Sequence, residues 1–553
     1  MRLCDLLLLL RATVVVCFTG FAVGLSAQDD VCRKKFIELG WDIPDTAYLK
    51  ENHAAMQQTT PFDGVMLALE ATSPDGKKHS SQSMMDAQAW DSAWFATAIA
   101  DLKACRWTTF TDNFIRVNFS PGQVDWDDDN GWTVFCNKTA LCAEVASTTG
   151  LKGLAVDFEP YGKAIFTYAA DSGRSFDEMK AVARKRGKQW MEAMASKFLG
   201  MVLFTLFIAD VNVSAGYDYR PDNTLKTLHY GLLPAFFNGM LDAVPPQMRI
   251  VDGCETGYYK NGFDEFCRTA LAIRSNGGPA IRLVAPENRQ KYISQVQVGF
   301  GFYLDMYTNP EGNVYYRGPK EGGTRLDRLE ENLTAARETT DAYVWLYGEQ
   351  RRWWKPADPA KAWQHWEDAL PGMTQTIRLT KNPHEAAREI LEALRRENKA
   401  VNLLKNPMFT ETSDWEFWQN EPLGTFAWDN GKGTLSNVKW GCVLQNYRPV
   451  RPGEYYYVAM DGKQQGAGQI SMRIRWKDAQ DKWTREAEDR VFLFENRNPM
   501  DFPSSRDGWV LRAEGIVKIP DGVAVLQVQA GVRDQAANGD TAWFTNAVLI
   551  RIR

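Results

Sequence analysis

Two carboxylates close an otherwise apolar run in LKGLAVDFEPYG, residues 151–162: Asp157 and Glu159, followed at once by Pro160, Tyr161 and Gly162. Alternation along a strand turns Asp157 and Glu159 toward one face and Val156 and Phe158 toward the other. Two acids facing one site suit proton transfer. A carboxyl crowded by a second carboxylate and by aromatic walls holds its proton more tightly, and so can act as a general acid at neutral pH. Other apolar runs end in polar groups as well: Asp42 beside Trp41, Asn118, Asp210, Asp252 and Glu255 in DGCETGYY, Asp305 after GFYL, and Glu349 in VWLYGEQRRWW.

These groups need elements to position them. From about residue 33 to 380, eight short β-prone runs (34–41, 62–70, 113–120, 151–159, 201–210, 248–255, 294–305 and 342–349) alternate with longer amphipathic ones. That is the pattern of βα units and a parallel sheet. Among the connecting segments, PDTAYLKENHAAMQQ opens on a proline and FDEMKAVARKRGKQWMEAMASKFLG stops at a glycine, both helix signals. Eight strands with following helices predict an α/β fold, a (β/α)8 TIM barrel, over residues 28–400, whose functional groups cluster where strands end. A doubly wound open sheet is the alternative, but the turn Gly40-Trp41-Asp42-Ile43-Pro44 lacks the phosphate-binding glycine pattern. Helix-like NPHEAAREILEALRREN (382–398) is expected to close this domain. Residues 401–553 change to short alternating runs broken by Gly, Asp and Asn, which predicts an all-β sandwich.

The acid-Phe-Glu-Pro sequence at the end of the fourth strand resembles the acid/base position of TIM-barrel glycoside hydrolases. Where the large retaining clan carries Asn before that Glu, this chain has Phe158. The Asp157-x-Glu159 pair is also similar to the last two acids of the chitinase-like motif, with Ala155 and Lys152 where that motif has further acids. The resemblance implies an enzyme that hydrolyses glycosidic bonds in a poly- or oligosaccharide, with Glu159 as general acid, Asp157 tuning it, and no organic cofactor. Such chemistry needs a second carboxylate, about 5 Å away for retention and roughly 6.5–9.5 Å for inversion. Glu255, Glu349 and Asp305 compete for that role, with Glu255 favoured. Aromatic faces stack on sugar rings; Trp41, Tyr161, Tyr258, Trp345 and Tyr347 therefore join Asp42, Asn118 and Asp305 as expected substrate contacts. A non-catalytic glycan-binding protein on the same barrel is the competing reading, favoured if arginines neutralise the strand-end acids.

Residues 402–418 and 540–552 resemble the first and last strands of jelly-roll carbohydrate-binding modules. The resemblance implies sugar platforms among Trp418, Trp428, Trp440 and Tyr447, and a structural calcium that Asp540 could help to hold.

A formal charge of −5 leaves no basic footprint for nucleic acid. Residues 1–27 read as a secretory signal cut after Ala27, so the mature chain is expected to be secreted or periplasmic, with no membrane association once the signal is removed. Seven cysteines would remain (32, 105, 136, 142, 254, 267 and 442), an odd number, with Cys254 and Cys267 able to pair across a loop. The five scattered histidines and the absence of Cys-x-x-Cys give a transition-metal site no support.

Overall fold

Each of the eight predicted runs carries a strand. The computed structural model describes residues 34–170, 173–357, 360–411, 413–428, 430–494, 511–536 and 539–553; the expected signal segment 1–27 and Cys32 lie outside them. Nine strands make one parallel sheet among the described residues: β1 (Lys35–Gly40), β2 (Gly64–Leu67), β3 (Phe114–Asn118), β4 (Gly153–Asp157), β5 (Val202–Thr205), β6 (Arg249–Asp252), β7 (Val296–Val298), β8 (Phe300–Tyr303) and β9 (Tyr343–Gly348). Their spatial order is β8-β9-β1-β2-β3-β4-β5-β6-β7. The two ends of that order are consecutive pieces of one run, parted only by Gly299, so the sheet is a nearly closed barrel. A Cβ at Gly299 would stand 3.0 Å from Val251 Cγ1 and 3.1 Å from the Tyr343 carbonyl, which is why this crossing takes glycine.

Helices cover the sheet: α1 (Thr46–Thr59), α2 (Ala96–Ala104), α3 (Asp129–Thr149), α4 (Phe176–Ala195), α5 (Leu233–Ala243), α6 (Phe263–Arg274), α7 (Arg289–Gln295) and α8 (Arg325–Thr339). Ser175 and Glu178 cap α4 reciprocally, the Glu178 N–H donating to Ser175 Oγ and the Ser175 N–H to Glu178 Oε2. Its Trp190, Met191 and Met194 are buried, and Gly187 lies so close to the Phe236 carbonyl that no Cβ fits between α4 and α5.

The run 201–210 leaves the sheet earlier than its hydrophobicity suggests. β5 ends at Thr205, and the amides of Ile208, Ala209 and Asp210 fold onto the Asp252 carboxylate at 3.3, 3.0 and 2.9 Å. Four asparagines stand in Asn-x-Ser/Thr sequences, 118, 137, 212 and 332, and of these Asn118, Asn212 and Asn332 are buried. Cys254 and Cys267 are both free thiols, so the pairing considered from their spacing is absent. No helix among the described residues is long and apolar enough to cross a membrane.

The chain divides into two units: residues up to Gly318 with Arg328–Ile377, and Pro319–Asp327 with Arg378–Arg553. The helix α9 (Pro383–Arg396) therefore groups with the second unit, although the sequence reading gave it to the first. Its Ala386, Ala387 and Leu391 pack on Tyr455, Tyr457, Ala459, Val548 and Ile550. In that unit two antiparallel five-stranded sheets face each other. One has the order β10 (Glu416–Gln419), β13 (Trp440–Tyr447), β18 (Val525–Arg533), β15 (Gln469–Lys477), β16 (Arg490–Leu493). The other runs β11 (Thr425–Trp428), β12 (Gly433–Ser436), β19 (Thr541–Arg551), β14 (Tyr455–Gln465), β17 (Leu511–Lys518). The alternation in ISMRIRW buries Ile470, Met472, Ile474 and Trp476 between the sheets.

Candidate active site

The acids gather at the ends of the barrel strands, but not in equivalent environments. β4 stops at Asp157, two residues short of Glu159, where the sequence run was expected to end. Phe158 turns away as predicted, into a buried aromatic cluster 4.9 Å from Phe119 and 5.6 Å from Phe166 between ring centres. Asp157 is almost fully buried and bonds Arg116 Nη2 of β3 at 2.6 Å, while its Oδ1 accepts the Glu159 N–H at 2.8 Å. It is thus an ion-paired support that aims the following turn. Glu159 itself is exposed and has no arginine; the Tyr161 hydroxyl donates to its Oε2 at 2.5 Å. Burial, with Asp157 and Glu159 nearby, pushes the Tyr161 phenol far up, which keeps that donor protonated.

Glu255 opens a short turn, Glu255–Tyr259, after β6. The preceding Cys254 takes a left-handed conformation at φ 41°, and its carbonyl accepts the amides of Gly257 at 2.8 Å and Gly301 at 3.2 Å. A non-glycine residue there costs about 1 kcal/mol or more, and the two amides and the burial of Cys254 hold it. The Glu255 carboxyl has no hydrogen-bond or ion-pair partner among the described residues. Burial first, then the charges of Asp157 and Glu159, raise its pKa to about 8, with Arg116 opposing. Tyr230 sits in the field of the same three acids, so Asp157, Glu159, Glu255, Arg116 and Tyr230 form one cluster.

Glu349, past β9, is held by two phenols, Tyr303 at 2.9 Å and Tyr347 at 3.0 Å. Arg351 does not pair with it. That guanidinium goes to Asp305 at 3.2 Å, and Asp305 also accepts the Glu349 N–H at 2.7 Å. Asp305 is fully buried, so it positions the Glu349 backbone and cannot be the substrate contact expected of it. Asp42 is likewise withdrawn: its Oδ2 accepts the Trp353 N–H at 3.0 Å and it lies against buried Glu38. Asn118 is buried in register with Asp157, and its Oδ1 has no partner among the described residues. Trp345 is 1% exposed and donates its indole N–H to the Gly253 carbonyl at 2.8 Å, so it is floor and not platform. Tyr258 stacks on Tyr347 with centroids 5.8 Å apart, above that floor. Gly301 leaves the room that Trp345 and Tyr258 occupy. Trp41, 67% exposed, and Tyr161, 58% exposed, form the accessible rim; the Trp41 indole donates to the Tyr347 hydroxyl at 3.0 Å.

Arg116 and Tyr230 were missed from sequence. Arg116 carried a signal, a cation in the middle of the buried run NFIRVNFS, which must find a partner; Tyr230 lies in an irregular stretch without periodicity.

The buried pair Glu38 and Asp42 supplies a pH test. Burial, then Asp42, raises Glu38 well above the carboxylate range. The folded state therefore holds a proton that the unfolded chain releases, so the stabilisation is complete in acid and is lost as pH rises through the raised pKa. Glu38→Gln mimics the protonated form. Calorimetry should find its melting temperature flatter than wild type between pH 5 and 9, with a gain at the alkaline end of roughly 2–4 °C per kcal/mol.

In the second unit, Trp418, Trp440 and Trp483 line a cleft of about 600 Å³ on the β10-β13-β18-β15-β16 sheet. Trp428 and Tyr447, also expected as platforms, pack against the core instead. The Asp540 carboxylate is engaged by backbone: its Oδ1 accepts the Ala467 N–H and its Oδ2 the Ala536 N–H, which pins two loops. Among the described residues no three His, Cys, Asp or Glu side chains gather to hold a metal.

No family model matches the chain, and no curated protein does. Solved structures match over a fraction of it. The bacteriophage CBA120 tailspike protein 4 enzymatically active domain is 14% identical, with TM-score 0.21, over 27% of this chain and 21% of that one. A family 61 carbohydrate-binding module in complex with β-1,4-galactotriose is 14% identical, with TM-score 0.19, over 28% of this chain and 99% of that one. The CBM22-1–GH10 modules of a Clostridium thermocellum endo-1,4-β-D-xylanase, complexed with xylohexaose, are 10% identical, with TM-score 0.20, over 28% of each chain. Similarity at this level carries no argument about mechanism, which rests on the geometry above.

Proposed function

We propose that this chain is an exported glycoside hydrolase built on a (β/α)8 barrel, cleaving a poly- or oligosaccharide, with Glu255 as general acid and Glu159 as its carboxylate partner. The barrel reading follows from counting β7 and β8 as one strand interrupted at Gly299; each of the resulting eight strands is then followed by helix. One observation carries the chemistry: a carboxyl at the strand ends without a hydrogen-bond or ion-pair partner among the described residues, its pKa raised by burial and by two neighbouring carboxylates. This inverts the roles read from sequence, where Glu159 was the acid. Asp157 positions the turn through its bond to the Glu159 amide, and Glu349, locked between Tyr303 and Tyr347, shapes the site wall. Trp41 and Tyr161 offer ring faces to a sugar.

The non-catalytic reading requires arginines to neutralise the strand-end acids. Arg116 does so for Asp157 and Arg351 for Asp305, yet Glu159, Glu255 and Glu349 form no ion pair among the described residues. Hydrolysis of a broad panel of plant, algal and microbial glycans by wild type, Glu255→Gln and Glu159→Gln, read as reducing ends, tests the proposal. Products that vanish in both variants support it; products unchanged in both refute it.

The cleft with Trp418 and Trp440 is proposed to grip the same glycan. These side chains are 46% and 44% exposed, so alanine there leaves the fold intact. Stacking losses of about 1–2 kcal/mol per ring should weaken glycan binding by roughly 5- to 30-fold for each, measured by affinity electrophoresis.

A further inference from the structure

In the first unit a cavity of about 890 Å³ lies between α4, the short helix Pro221–Leu225, α5 and the segment 280–289. It lies outside the acid cluster and has the opposite charge. Six cations line it against two acids, Asp177 and Asp222, and both acids are spent on Lys180 at 2.9 and 2.6 Å. Arg184 is held by Asp242 and Glu287, and Arg282 by the carbonyls of Gly216 and Asp218. Arg220, Lys226 and Arg289 remain, all exposed, and none forms an ion pair among the described residues. The six lining cations outnumber the four carboxylates that meet them, Asp177, Asp222, Asp242 and Glu287, and this positive excess around a cavity large enough for sugar rings makes a local well for anions.

The cavity wall includes Gly231, which directly follows Tyr230. Tyr230 in turn stands in the field of Asp157, Glu159 and Glu255. One segment therefore borders both the acid cluster and the cationic cavity. In the Trp418 cleft of the other unit, Arg473 and Arg475 are taken by Asp489 and Glu486, which leaves Arg533, placed over the Trp440 ring, as the lining arginine with no ion pair among the described residues. An acid cluster repels a negatively charged sugar, whereas a cationic cavity at its border draws the charged groups of a longer chain away from the centre.

We propose that the substrate is an anionic glycan, bearing uronate carboxylates or sulfate esters, and that Arg220, Lys226 and Arg289 form the subsite for its acidic groups. This rests on the glycosidase reading and names its substrate class. The test is titration calorimetry on the full chain, with Glu255→Gln present to prevent turnover. The probes are an oligouronate hexamer, a sulfated hexamer, the neutral counterpart of each, and inorganic sulfate. At least one acidic hexamer should bind ten-fold or more tightly than its neutral counterpart, with an affinity that falls as salt rises. Adding Arg220→Ser, Lys226→Ser and Arg289→Ser should erase that preference and leave neutral-hexamer binding and the melting temperature unchanged. The proposal fails if the triple change leaves the acidic preference intact. It fails equally if inorganic sulfate alone occupies the cavity and no saccharide is preferred. Binding of neutral hexamers without acidic preference overturns the anionic substrate only; binding of no saccharide at all overturns the glycosidase reading with it.

Discussion

Replacing Glu255 with glutamine is expected to lower kcat/KM for glycan hydrolysis by about 10²–10⁴-fold, the usual contribution of a positioned general acid. The amide keeps the shape of the side chain but has no proton to give to a leaving oxygen. The pH profile distinguishes this role from a structural one. With the Glu255 pKa at about 8, wild-type activity should hold through neutrality and fall on the alkaline side near pH 8, as the acid ionises. The residual activity of the variant should lack that limb. Stability should move the other way. Because the folded-state pKa lies above the ordinary value of 4.5, the native protein is favoured in acid and loses that advantage as pH rises through about 8. Above that point wild type must carry a third charge beside Asp157 and Glu159. The glutamine variant should then be more stable by on the order of 3 kcal/mol, after allowance for partial exposure, and equal to wild type near pH 4. Loss of activity with this crossing of stability curves is the outcome to look for; a variant that loses activity and stability together at every pH contradicts the assignment.

The largest loss of stability is expected from Arg116→Met. Arg116 is buried at the side chain to 12% exposure and its partner Asp157 to 1%. A lone carboxylate left in that position costs about 3–5 kcal/mol. Chemical denaturation should report this directly, and the change should also raise the Glu255 pKa further, because the one opposing cation is gone. Adding Asp157→Asn to Arg116→Met removes the stranded charge, so the double variant should recover most of the stability. Recovery without a return of activity would separate the support role of the pair from catalysis by its neighbours.

What could be read from sequence follows from how parallel strands are buried. Covered on both faces, they appear as near-continuous apolar runs, and all eight were visible for that reason. The run 201–210 was over-extended because nothing in its hydrophobicity announces that three of its amides belong to Asp252. Helix α9 was assigned to the wrong unit because its apolar stripe looks the same whichever surface it covers; its partners, Tyr455 and Tyr457, lie some sixty residues later in the chain. Asp157, Glu159 and Glu255 could be singled out in sequence because acids that end apolar runs stand out, and the structure places them in one cluster. Their roles were not legible, since role depends on which carboxylate captures the arginine. Asp42, Asp305 and Trp345 illustrate the same limit: they are at the correct strand ends, but each is turned into the protein by a backbone contact that no spacing encodes.

Trp345 spends its indole N–H on the Gly253 carbonyl, two residues before Glu255, and Gly301 makes room for its ring. The last strand is thereby fastened beneath the loop that carries the acid, while Trp41 and Tyr161 stand at the rim with most of their surface in solvent. Under selection these two layers should diverge at different speeds. On the proposed roles, exchanging rim residues should change which sugars are accepted, whereas a change to the Trp345–Gly253–Gly301 trio should displace Glu255 itself.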